Sequence, residues 1–217
     1  KETKTLEFFD AGTVDGVIMS LAEESQNEDK HDALIDVINN DIPVVLFDRV
    51  SDNVQCDKVV VDDLEAGYKI TKYLINIGCK NIAVVNPISS SSVGKLRLLG
   101  YKKALEEFEM PFDPKLIINL TVKDDLDLLM SFLLNYKTIE GIIGIDELIA
   151  VQVLEVVKAR GYNVPNDISI IGFTNGQLSK YVTPSLTMVS QHGKYIGELT
   201  AKLLINRIKN PGLPYET

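Results

Sequence analysis

The chain has 217 residues, 45% of them apolar, which excludes a disordered tail and provides core for one large or two small lobes. Lys plus Arg is 22 and Asp plus Glu is 31, a net charge of −9. So acidic a chain lacks the basic stripe that nucleic acid needs, and it cannot grip a duplex unaided.

The polar opening, KETKTLEFF, begins at Lys1 without methionine and reads as the start of a fragment or processed product. No signal-peptide pattern and no membrane-length apolar run is present. Eight short β-branched runs then follow: VDGVIM (14–19), PVVLFD (43–48), KVVVD (58–62), NIAVVN (81–86), KLIINL (115–120), EGIIGID (140–146), ISIIGF (168–173) and LTMVSQ (186–191). Most are continuously apolar, the mark of strands covered on both faces. Between them the spacing predicts helices over 63–77, 95–109, 123–135, 147–160 and 193–209. The first buries Gly67, Ile70, Thr71, Leu74 and Ile75, starts on an Asp62/Glu65 capping box and ends at Gly78. The second shows Leu98, Tyr101, Leu105 and Phe108 as its stripe; the fourth shows Ile149, Val153, Val156 and Val157 and stops at Gly161. Strand–helix alternation of this kind predicts an α/β fold with parallel sheets.

The pattern repeats internally. Val14-Asp15-Gly16-Val17-Ile18 returns as Ile139-Glu140-Gly141-Ile142-Ile143, offset by 125, and Phe47-Asp48 returns as Phe173-Thr174, offset by 126. Each unit reads strand, helix, Pro-marked turn, strand ending in Phe and a polar residue. Two similar parallel-sheet lobes are expected: residues 1–62 plus 187–217, and residues 63–186. Short crossovers near 62–64 and 184–192 join them, and a cleft between such lobes suits a small molecule.

Catalytic signatures are absent: there is no GxGxxG, GxxxxGK, GxSxG or HExxH. His31 and His192 lie far apart without partners at ligand spacing, so neither a metal nor another cofactor is expected, and no enzyme is supported. Cys56 and Cys79 exclude a disulfide-dense scaffold; one bridge between them stays open, beside the reading of two reduced, buried thiols. Asp62-Asp63 and Asp124-Asp125 precede helices and read as caps.

In open parallel sheets ligands bind beyond the carboxyl ends of the strands. Ser20, Asp48, Asp62 or Asp63, the Ser89–Ser92 run, Asp146 and Thr174 all fall there. Arg97 opens a helix, where the dipole disfavours it. It reads either as a structural salt bridge or as a fork for vicinal hydroxyls or a carboxylate. Asp146 reads equally as the cap of 147–160 and as an acceptor for ligand hydroxyls. The serine run reads mainly as a flexible loop and cap, with one hydroxyl, taken as Ser91, reaching the cleft.

Together VDGVIMS, IPVVLFDRV, VVVDDLEAGYKITKYLINIGCKNIAVV, Arg97-x-x-Gly100-Tyr101-x-x-Ala104-Leu105, Asp146-Glu147, RGYNVPNDISIIGFTN and TPSLTMVSQHGKYIGELTAKLLI resemble the effector-binding domain of lactose-repressor-type (LacI/GalR) transcriptional regulators. The resemblance implies a periplasmic-binding-protein-like (type I) fold, a cytoplasmic homodimer, no membrane, and a small effector, expected to be a carbohydrate. It also implies DNA contact through an N-terminal helix-turn-helix absent from this chain, with the first strand and helix of the first lobe missing too. Arg97 matches the family's effector-binding arginine and Asp146 its polar residue after the strand. Thr174 stands where an aspartate is common, Ile145 where a small or amide residue is, Val151 where glycine is, and Cys79 where histidine is. The ligand-binding residues expected are therefore Arg97, Asp146, Thr174, Ser91, Ser20 and Asp48. A solute-binding protein of a transport system is the alternative on the same architecture, and a cleft enzyme is a third reading. Outer faces of helices 123–135 and 147–160 are expected to make the dimer.

Overall fold

The computed structural model describes Leu6 and residues 13–22, 31–174 and 176–217. The opening KETKTLEFF stretch, apart from Leu6, lies outside the described residues. In chain order the elements are β1 (Val17–Met19), α1 (Asp32–Asn39), β2 (Val44–Phe47), β3 (Asp57–Val59), α2 (Asp63–Asn76), β4 (Ile82–Asn86), α3 (Ser92–Glu107), β5 (Ile117–Asn119), α4 (Leu126–Tyr136), β6 (Gly141–Gly144), α5 (Glu147–Ala159), β7 (Ser169–Phe173), α6 (Leu178–Tyr181), β8 (Thr187–Val189) and α7 (Gly193–Lys209). Every expected strand forms, in a shorter span than its apolar run.

The chain divides into two compact units. The first holds the described residues up to Val61, residues 90–92 and His192–Thr217; the second holds Asp62–Ser89 and Val93–Gln191. The expected boundary at 187 is corrected: β8 is hydrogen-bonded beside β7, with Gly172 opposite Met188, so that strand belongs to the second unit. Ladder hydrogen bonds outweigh the sequence proximity of β8 to the last helix.

In the first unit three parallel strands run in the order β1-β2-β3, with Val17 opposite Val44 and Val45 opposite Asp57. Leu6, Val17, Leu21, Leu34, Val37, Val44, Leu46, Val54 and Cys56 form its core. Helix α7 lies against this sheet so closely that a Cβ on Gly16 would meet Leu204 Cδ1 at 2.8 Å. Arg207 on α7 donates to both carboxylate oxygens of the fully buried Asp57, at 2.7 and 2.8 Å. It also donates to the carbonyls of Pro211, Leu213 and Pro214. Glu216 completes the arrangement: its N–H donates to Asp57 Oδ1 at 2.9 Å and its carbonyl accepts from Lys58 N–H at 2.9 Å. One buried ion pair thus ties the last residues to the edge of β3.

The second unit carries five parallel strands in the order β5-β4-β6-β7-β8. Alternate residues enter opposite cores. Ala83, Val85, Ile142 and Ile170 join one cluster, while Ile82, Val84, Ile143 and Ile171 join the other. This is the period-2 geometry of strands covered on both faces. Local signals set the helix ends. Asp62 accepts from Glu65 N–H at 2.8 Å, and Asp125 accepts from the N–H groups of Asp127 and Leu128. Gly78 and Gly161, just past α2 and α5, have φ of +104° and +86°, which glycine adopts without a Cβ penalty.

Cys56 and Cys79 are both buried free thiols in different clusters. Loss of solvent raises both thiol pKa values, that of Cys56 to about 11.

Candidate functional site at the strand ends of the second unit

The predicted stripe of α3 holds at Tyr101 and Leu105, and the buried face is wider than predicted. Its buried face is Val93, Gly94, Arg97, Gly100, Tyr101, Ala104 and Leu105, whereas Leu98 and Phe108 are only half-buried. The reason is helix contact. A Cβ on Gly100 would lie 2.1 Å from the Leu64 carbonyl oxygen, and one on Gly67 would lie 2.2 Å from that of Arg97. The two glycines let α2 and α3 cross backbone to backbone, and this turns Arg97 inward beneath the sheet end.

Arg97 is 2% exposed. Its Nε donates to Asp63 Oδ1 at 2.7 Å and its Nη1 to the Ile145 carbonyl at 2.7 Å. The guanidinium carbon stands 4.1 Å from the centroid of the Phe173 ring, a stacked cation–π arrangement. Its Nη2 is buried and has no hydrogen-bond partner among the described residues. A buried donor left unmatched costs about 1–3 kcal/mol, so the site favours an acceptor brought there. The salt-bridge reading of Arg97 is realised at Nε, while Nη2 has no protein acceptor among the described residues. Asp63 is buried in the pair with Arg97, and Asp62 caps α2.

The neighbouring strand ends supply polar groups. Asp146 caps α5, its Oδ1 accepting from Ile149 N–H at 2.7 Å. Thr174 follows β7 with φ of +68°, an uncommon left-handed conformation for a β-branched residue, and its hydroxyl donates to Gln191 Oε1 at 2.7 Å. Asn86 ends β4 fully buried; its Oδ1 accepts from Ile88 N–H at 3.1 Å. The serine run is a turn that leads directly into the next helix. Ser92 already begins α3, Ser91 is fully buried, and a Cβ on Gly94 would meet the Ile88 carbonyl oxygen at 2.2 Å.

Arg97, Asp146 and Thr174 are thus joined through Ile145 and Phe173 at one end of one sheet. Ser20 and Asp48 stand at the ends of the adjacent strands β1 and β2 in the first unit. Ser20 Oγ accepts from Arg49 N–H and Nε at 3.4 Å, and the Asp48 N–H donates to the Val59 carbonyl at 3.1 Å. Ser91 is grouped with the first unit. Asp48 has φ of +59°, so the Phe-Asp/Phe-Thr echo repeats in backbone conformation as well as in sequence. Sequence reasoning missed the ring of Phe173, the amides of Asn86 and Gln191, and the pairing of Asp63 with Arg97. An apolar or amide side chain at a strand end carries no local signal of its own. Among the described residues no group of three metal-ligating side chains occurs.

Parallel strands with helices on both faces and polar groups at their carboxyl ends define a periplasmic-binding-protein-like scaffold. The chain belongs to that family: residues 71–217 match the model of the periplasmic binding protein-like domain. It is 32% identical over 202 residues to the transcriptional regulator DegA of Bacillus subtilis, covering 91% of this chain and 58% of that one. Among solved structures, the transcription regulator CcpA of Lactococcus lactis superposes with a TM-score of 0.82 at 27% identity, over 100% of this chain and 79% of that one. A LacI-family transcriptional regulator from Enterococcus faecium, solved with bound ribose, gives 0.79 at 26% identity, over 94% and 74%. These relatives are LacI-type transcriptional regulators rather than enzymes. The chain spans under two thirds of the length of the curated relatives it matches.

Proposed function

We propose that the chain is the effector-sensing part of a LacI-type transcriptional regulator, and that its effector is a small sugar or sugar derivative. The observation that carries this is the buried Arg97, fixed on two nitrogens and one face, with Nη2 unmatched at the carboxyl end of a parallel sheet. Arg97, Asp146 and Thr174, all of the second unit, are the proposed ligand contacts. The regulator relatives and the ribose-bound neighbour support the reading.

Ligand contacts made better in one state than in another shift the balance between DNA-competent and incompetent forms. A difference of about 1–3 kcal/mol suffices for a 5–150-fold change in operator affinity. DNA contact is assigned to a helix-turn-helix in the full-length protein, consistent with the −9 charge here. Dimerisation is assigned chiefly to α4, where Leu128, Phe132 and Tyr136 recur every fourth residue and are 52%, 63% and 48% exposed.

The test is a thermal-shift screen of neutral and phosphorylated sugars followed by calorimetry. The expected result is saturable binding of at least one sugar, lost in Arg97→Ala. Undiminished binding of that sugar by the variant refutes the assignment of the site.

A further inference from the structure

The charge of Arg97 is already answered before any ligand arrives. Asp63 Oδ1 lies 2.7 Å from Nε, and the two side chains are 2% and 5% exposed. So close a pair nearly cancels as seen by a third group, and at such burial little solvent screens what remains. Asp146 contributes a second carboxylate beyond Ile145, whose carbonyl Arg97 holds. Thr174 contributes a hydroxyl and no charge. Asp63 thus offsets the charge of Arg97, and Asp146 adds a further carboxylate at the same strand end.

We propose that Asp63 is a positioning residue that sets the ligand class of the site: with it in place, the site takes uncharged polyhydroxyl molecules and rejects their phosphorylated counterparts. This rests on the effector-site reading above. Asp63 acts through Arg97. It holds Nε so that Nη2 presents its donors to hydroxyl oxygens, and it cancels the charge that would otherwise attract a phosphate. The crossing of α2 and α3 at Gly67 and Gly100 keeps the two side chains in register. Discrimination comes from repulsion of the wrong ligand as much as from attraction of the right one.

The experiment compares ribose with ribose 5-phosphate and glucose with glucose 6-phosphate by calorimetry, for the wild-type chain, Asp63→Asn and Asp63→Glu. Asparagine keeps an acceptor for Nε and removes the charge. In the wild type the neutral member of the recognised pair binds at least about tenfold tighter than its phosphorylated form. In Asp63→Asn that ratio falls at least about tenfold, and in Asp63→Glu it is retained. A merely structural aspartate weakens both members together and leaves the ratio unchanged, which overturns the proposal. A wild-type preference for the phosphorylated member overturns it too, without any variant. If the folded wild type binds neither these pairs nor any other sugar of the thermal-shift screen, the sugar-effector reading itself fails, and the assignment of Asp63 falls with it.

Discussion

Substituting alanine for Gly100 sets two opposed effects against each other, and the structure decides between them. Alanine is the better helix former by about 1 kcal/mol. Against this, the new Cβ would meet the Leu64 carbonyl oxygen at 2.1 Å, the Tyr68 nitrogen at 2.5 Å and the Gly67 carbonyl carbon at 2.9 Å. All three are backbone atoms, so no rotamer change relieves them. Ordinary contact at 3.4 Å requires α2 and α3 to separate by 3.4 − 2.1, or about 1.3 Å. Overpacking of this kind costs about 1–3 kcal/mol, and rigid backbone on both sides puts it at the upper end. The net expectation is destabilisation by about 2 kcal/mol, a fall in Tm of about 4–8 °C for a chain of this length. The same separation stretches the 2.7 Å Arg97–Asp63 contact, so ligand affinity falls with stability. Gly197 on α7 is the control: a Cβ there meets nothing within 4 Å, and Gly197→Ala gains about 0.4–1 kcal/mol. Urea denaturation with thermal unfolding of both variants reads the result. A Gly100→Ala protein as stable as the parent refutes the close-crossing argument.

The Arg207–Asp57 pair predicts that Asp57→Ala costs about 3–5 kcal/mol, because it strands a buried guanidinium; hydrogen exchange at Glu216 accelerates, and unaltered exchange there contradicts the tail anchor. Cys56 has its pKa raised from 9.0 to about 11 by burial, so above pH 9 the unfolded thiol loses its proton while the folded one keeps it. Stability therefore falls between about pH 9 and 11, the urea midpoint following it, and Cys56→Ala flattens that decline. Phe132→Asp on the exposed face of α4 is expected to give a monomer by light scattering with an unchanged Tm, and a dimer that persists moves the interface elsewhere.

Those outcomes depend on contacts that differ in how far apart their partners lie along the chain. What the sequence determined by itself is local. Eight β-branched runs became eight parallel strands because burial on both faces leaves a continuous apolar signature. Asp62, Asp125 and Asp146 cap helices because a short carboxylate reaches the free N–H groups two or three residues on. Gly78 and Gly161 end helices because positive φ suits a residue without Cβ. Even the Phe-Asp/Phe-Thr echo was visible, and both polar residues take the left-handed conformation. The tertiary structure alone decided which residues meet across distance. Arg97 finds Asp63 across 34 residues and the Ile145 carbonyl across 48, and Arg207 finds Asp57 across 150. The period of α3 placed Tyr101 and Leu105 on its buried face, as found; that Arg97 joins them there depends on the Gly67–Gly100 crossing. Periodicity records which residues avoid water, but the partner of a buried charge depends on how the helices pack, and that is settled only when the whole sheet is assembled.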